Sequence, residues 1–199
     1  MPDDLGAEFR AAVRSHYVLA ICEGRAESVI FLKLLEAGLL VIPAGNLVED
    51  EVTGRLCTQC RSGRQIEERF LDKDYTTQEG ESQLVILRIL DSPRAQFRLH
   101  RLYEGRVLRF DVVTQPEIEM LVIHAEGRYE DWQRASRRDH NLHPNTFCKA
   151  QLGMSDVKSG DFLEEYWSDK DKLVGALRDY REHLGKRKGD ELRLTDLLA

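Results

Sequence analysis

Leu84 to Leu90 (LVILRIL) carries the strongest strand signal in the chain, an apolar run interrupted only by Arg88. A strand apolar on both faces must be covered on both, the condition of a central strand in a parallel sheet. Asp91-Ser92-Pro93 ends this run and opens a helix over roughly 93–103. In that helix Ala95, Leu99, Leu102 and Tyr103 share a face, and Gly105 closes it. Working outward, Tyr17 to Cys22 (YVLAIC) reads as a second buried strand, stopped by the turn Glu23-Gly24. Residues 26–37 form a helix apolar nearly all round and hence covered, with Gly38 in the C′ position. Leu39 to Pro43 (LLVIP) follows as a short strand, so 17–43 reads as a right-handed βαβ unit.

A helix through Arg64 to Leu71 places Ile66, Phe70 and Leu71 on one face, and residues 72–82 have loop composition. Downstream, Val107 to Val113 (VLRFDVV) is another strand, and Thr114-Gln115-Pro116-Glu117 starts a helix that stops at Gly127. Further helices are expected over 129–138, 146–152, 160–168 and 170–184, the last with Leu173, Leu177, Tyr180 and Leu184 in register. Strands and helices alternating in this way predict an α/β fold, a mainly parallel sheet with helices on both faces. Its core spans residues 16–127; residues 128–199 form a helical C-terminal extension that packs on the core or makes an interface.

Composition limits the function classes. A chain of 199 residues, 42% hydrophobic and 32% charged, has the balance of a folded globular protein rather than a disordered one. With a net charge of −6 it has no general attraction for polyanions, so any nucleic-acid contact must use a local basic patch. No apolar run approaches the ~18 residues a membrane span needs, and no signal-peptide pattern opens the chain. The four cysteines lack a disulfide-framework spacing, which points to a reducing cytoplasm. Neither a phosphate-cradling glycine loop nor a G-x-S-x-G elbow is present.

In parallel sheets ligands sit beyond the carboxyl ends of the strands. Glu23, Asp91 and, later, Glu117 or Glu119 fall at such ends. Separated carboxylates brought to neighbouring strand ends suit Mg²⁺ (or Mn²⁺), which takes hard oxygen ligands and leaves room for water and phosphate. Each acid also has a structural use. Glu23-Gly24 makes a polar turn, Asp91 is placed to cap the next helix, and Thr114 with Glu117 fits a capping box. Glu119 is on the same helix, and Glu27 lies in a first turn that favours negative charge. Arg25, Arg94 and Arg98 flank the acids and suit phosphate oxygens. Cys57 and Cys60 form a C-x-x-C pair, and His140, His143 and Cys148 cluster later, an irregular set for zinc.

The stretches ICEGRAESVIFLKLLEAGLLVIP, LVILRILDSP and TQPEIEMLVIHAEG, in this order, resemble the Toprim domains, in particular small ones related to the OLD nucleases and the RloB-like group. The resemblance covers approximately residues 16–127. It implies a Rossmann-like sheet, Glu23 as general acid or base, and Asp91 as a Mg²⁺ ligand. It further implies a nuclease or related phosphodiester chemistry on DNA or RNA, with a role in phage defence. The chain departs from the family's Asp-x-Asp motif, having Pro93 at the second position, so Glu117 and Glu119 become the candidates for a further metal ligand. The alternative is a non-catalytic Toprim-like module that binds a protein or nucleic-acid partner, as a monomer or an oligomer. A small-molecule regulatory domain using the same crevice is a third reading.

Overall fold

The computed structural model describes residues 4–73, 83–91, 97–114, 118–184 and 191–199. Three expected strands form within the predicted limits: β1 (Tyr17–Cys22), β2 (Leu84–Leu90) and β3 (Val107–Val113). They pair in parallel, joined by a two-residue β4 (Leu192–Arg193), in the order β1-β2-β3-β4. β2 is central and every one of its residues is buried, as its uninterrupted apolarity requires. The α/β class and its parallel sheet are therefore as the sequence indicates.

Strand parity sorts the side chains between two faces. On one face Leu19, Ile21, Leu84 and Ile86 pack with Ile66, Phe70 and Leu71. The latter three come from α3 (Gly63–Ile66) and the π-helical turn Glu67–Leu71 that continues it. Phe97, Leu99 and Tyr103 add partly buried contacts. On the opposite face Phe9, from α1 (Asp4–Ser15), meets Phe110 edge-on at 5.3 Å. Cys22 and Ser28 meet on that same side, Ser28 belonging to α2 (Arg25–Glu36). Helices thus cover both faces. α2 ends as expected, with Gly38 at φ +68°, a left-handed conformation that glycine adopts without a Cβ penalty.

Two expectations in this unit are corrected. Leu39 to Pro43 is not a strand of the sheet. Leu40 makes a single antiparallel bridge to Leu198, and backbone bonds join Val41 N to Leu197 O (2.7 Å) and Ala199 N to Leu39 O (2.8 Å). The apolar run is buried by the end of the chain, and a five-residue run has too little periodicity to tell these cases apart. The free edge of β1 is met instead by Leu47 and Thr58, through single parallel bridges to Val18 and Ile21. The helix expected over 93–103 is also shorter. Residues 92–96 lie outside the described residues, 97–100 are not helical, and α4 covers only Arg101–Glu104. Leu102, expected on its buried face, is 73% exposed.

The chain divides into two compact units, Met1–Thr114 with Arg187–Ala199, and Gln115–Lys186. The sequence reading instead ended the core at Gly127 and assigned the last residues to the helical extension. β4 and the Leu40–Leu198 pairing explain why the final segment belongs with the sheet. The second unit comprises α5 (Met120–Ala125), α6 (Tyr129–Arg138), α7 (Pro144–Leu152), α8 (Gly160–Tyr166) and α9 (Lys170–His183). Within it α5 is buried along Met120 to His124 and packs chiefly on α9, whose Leu173, Leu177 and Tyr180 are buried as their spacing predicts. Among the described residues no helix is long and apolar enough to cross a membrane.

One backbone approach in the first unit admits only glycine. A Cβ built at Gly63 falls 1.9 Å from the carbonyl oxygen of Arg98, whereas one at Gly105 meets nothing within 4 Å. Gly63→Ala is expected to cost about 1–3 kcal/mol by forcing two backbone segments apart. Thermal melting should show a drop of roughly 2–10 °C, with Gly105→Ala near wild type; equal melting temperatures for the two variants would contradict this packing.

Candidate functional site

Because β1 and β2 are direct neighbours, their carboxyl ends bring Glu23 and Asp91 together. The ladder runs one step past β1, with Glu23 N donating to Ile89 O at 2.9 Å. The Glu23 carboxylate then turns back, and its Oε2 accepts the backbone N–H of Asp91 at 2.7 Å. Its Oε1 lies 3.9 Å from the guanidinium of Arg61, an exposed residue that the sequence did not single out. Asp91 is exposed at the end of β2. Glu23 thus reaches the backbone of Asp91 across the two strand ends.

Glu27 joins them from the first turn of α2, the position at which the sequence assigned it to the helix dipole. It is 8% exposed, and its carboxylate folds back over Gly24, where a Cβ would sit 2.9 Å from Oε2. Burial raises its pKa above the usual carboxylate range, and the charges of Asp91 and Glu23 push in the same direction. The Ser28 hydroxyl donates to Gly24 O at 2.9 Å and pins the turn that carries Glu23. The E-G-x-x-E spacing is the signal by which Glu27 could have been found: one helical turn brings the second acid back beside the first.

Beneath this acidic edge lies a buried cation. Arg88, 3% exposed, is on the face of Ile86, and its Nε lies 3.5 Å from Asp111 Oδ1, with Arg109 Nε at 3.7 Å from the same oxygen. The Phe97 ring lies against the guanidinium at 4.9 Å. Burial pulls the Arg88 pKa down and the Asp111 charge opposes it, so the ion stays paired within the sheet. An arginine in an otherwise apolar strand was the visible sign of such a pair.

The remaining candidates are distributed differently. Arg25 is exposed as the first residue of α2, and Arg98 is exposed with its backbone against Gly63. Arg94 and Glu117 lie outside the described residues. Thr114, expected to cap a helix, instead donates from Oγ1 to Leu90 O at 3.2 Å. Glu119 is in the second unit as the N-cap of α5, 3% exposed, and Lys158 pairs with it at 3.0 Å. That ion pair, closed over the buried Glu119 by an exposed lysine, gives Glu119 a structural role. Cys57 and Cys60 do not act as a pair: Cys57 is set against Cys22, and Cys60 donates to Gln65 Oε1 at 3.4 Å.

Among the described residues no three His, Cys, Asp or Glu side chains are gathered to hold a metal ion. The donors at the strand ends therefore do not form an all-protein cage. They do fit the manner in which Mg²⁺ commonly binds, through one or two carboxylates with water and phosphate completing the shell. Glu23 and Asp91 could supply those oxygens. No family model, no curated protein and no solved structure matches the chain.

The raised Glu27 pKa fixes a sign. Between the unfolded and folded pKa values the folded chain binds more protons, so stability falls as pH rises through that window. Glu27→Gln is expected to raise the melting temperature at pH 7, and the gain should shrink as pH falls below the unfolded carboxylate value near ~4.3. Melting curves across this range check it; a gain independent of pH would contradict the assigned electrostatics.

Proposed function

We propose that this chain is a Toprim-like, Mg²⁺-dependent nuclease, or a relative acting on phosphodiesters of DNA or RNA. The observation that carries the proposal is the Glu23–Asp91 contact at the carboxyl ends of adjacent parallel strands, with Oε2 of Glu23 on the Asp91 N–H at 2.7 Å. A bound Mg²⁺ supplies Lewis-acid polarisation of the phosphodiester and a more acidic water. The chain's own residues would orient and move protons around it. Oε2 of Glu23 is held by Asp91, which leaves Oε1 to take a proton from an attacking water and return it to the leaving oxygen. Asp91, exposed beside it, offers its carboxylate to the metal. Arg25 and Arg61 are exposed cations near the turn, suited to phosphate oxygens; Arg94 and Arg98 follow Asp91 in sequence and are assigned the same role. A cytoplasmic setting and a part in phage defence belong to the same proposal.

A second reading, a non-catalytic module of this fold that binds a protein or nucleic acid, draws on two observations. Glu119, a candidate further ligand, is already paired with Lys158, and Arg61 lies beside Glu23. One experiment separates the two. Purified chain is incubated with labelled single- and double-stranded DNA and RNA in Mg²⁺ or Mn²⁺, with and without EDTA. The nuclease reading expects metal-dependent cleavage that falls about 10²–10⁴-fold in Glu23→Gln and comparably in Asp91→Asn, both variants retaining the wild-type circular dichroism. Cleavage unaffected by either substitution would overturn the assigned roles. Binding without cleavage in every arm would favour the module.

A further inference from the structure

The edge of β1 that faces away from β2 carries a second chemistry, in sulfur. Thr58 N donates to Ala20 O at 2.9 Å and Cys22 N to Thr58 O at 2.8 Å, which clamps the segment around Thr58 to the end of the strand. The clamp sets Cys57 against Cys22, and both side chains lie beside Ser28. Cys22 has no exposed surface and Cys57 has 3%. Cys57 nevertheless lines an open cavity of about 280 Å³, whose wall includes Ser28, Asp50, Arg55, Cys60 and Arg69. Asp50, 1% exposed, is neutralised there by Arg69, and Gln59 Nε2 donates to Ser28 Oγ at 3.1 Å. Cys57 thus belongs to the wall of the cavity, and Cys22 is buried beside it.

We propose that Cys57 and Cys22 form an oxidisable dithiol that reacts with a small hydroperoxide entering this cavity and closes an intrachain disulfide. The roles follow from the placement. Cys57 lines the cavity that a peroxide enters, and its contact with Cys22 and the nearby Arg55 charge favour its thiolate. Cys22, with no exposed surface, cannot meet the peroxide first and is the resolving thiol. In the first step the Cys57 thiolate attacks the peroxide; an S–O bond forms, the O–O bond breaks, and the alcohol (water, for hydrogen peroxide) leaves with a proton. In the second, the Cys22 sulfur attacks the Cys57 sulfenic acid; the S–S bond forms, the S–O bond breaks, and water leaves with the Cys22 proton. Two thiols are oxidised and one hydroperoxide is reduced by two electrons. This chemistry is independent of that proposed for Glu23.

The other two cysteines serve as internal controls. Cys60 is more exposed than Cys57 but bonds to Gln65, and Cys148 is buried in the second unit, where desolvation pushes its thiol up to about 12. Exposure alone therefore ranks Cys60 first, whereas the dithiol ranks Cys57 first. The test treats the reduced full-length chain with stoichiometric steps of hydrogen peroxide, alkylates the remaining thiols, and maps the digested peptides by mass. A loss of 2 Da with a Cys22–Cys57 linked peptide is expected, with Cys60 and Cys148 still alkylated, and the preference should vanish when the chain is oxidised in urea. In Cys22→Ser the reaction should stop at a dimedone-trappable sulfenic acid on Cys57. A Cys57–Cys60 link, an interchain link, or oxidation of Cys60 before Cys57 in the wild-type chain would each overturn the proposal, whether or not the variant folds.

Discussion

β2 is hydrogen-bonded on both sides and packed on both faces, and the arrangement of the first unit depends on that condition. A strand of seven buried residues cannot leave its backbone groups unpaired, so parallel neighbours must supply the ladders. β1 and β3 do so along their whole length. The register then fixes which residues leave the sheet together: Cys22 lies opposite Ile89, and the next residues out are Glu23 on one strand and Leu90 with Asp91 on the other. Two acids nearly seventy positions apart thus meet through the pairing of two apolar runs.

That meeting has an electrostatic cost which the surroundings only partly offset. Glu23 gains a backbone donor from Asp91 and a distant guanidinium from Arg61. Glu27 is buried beside both and is pushed toward its neutral form. The sheet's buried cation, Arg88, is committed first to Asp111, one strand further on. In the proposed function these acids meet a cation and the substrate that brings one, at the acidic edge rather than on a basic surface. The net charge of −6 agrees with this: attraction for a polyanion has to be local.

The parts of this architecture legible in the sequence were those where one physical demand dominates. YVLAIC, LVILRIL and VLRFDVV are six or seven residues long and rich in β-branched and aromatic groups, and their ends are marked by Glu23-Gly24, Asp91 and Thr114. Gly38 and Gly127 stop their helices in the left-handed conformation their positions suggested. LLVIP was misread because burial can be satisfied by any partner, and here the partner is the end of the chain, with Leu40 bridged to Leu198, 158 positions on. Residues 97–103 were misread because their apolar spacing fitted one helix, whereas Leu99 reaches the sheet from irregular backbone and Tyr103 from the short α4. The acids at the strand ends were found because the end of a parallel strand is a defined place. Arg61 and the Cys22–Cys57 contact were not, because they come from the irregular segment that covers the free edge of β1, and its course follows from tertiary packing alone.

Paramagnetic broadening of the backbone amide spectrum by Mn²⁺ tests the central claim, that Glu23 and Asp91 form one cation site at the mouth of β1 and β2. At low Mn²⁺ the amides of Glu23, Gly24 and Asp91 should broaden first, excess Mg²⁺ should reverse the effect, and Asp91→Asn should weaken it. Broadening that spares these amides, or that is as strong at exposed carboxylates such as Glu36 and Glu68, would contradict the account.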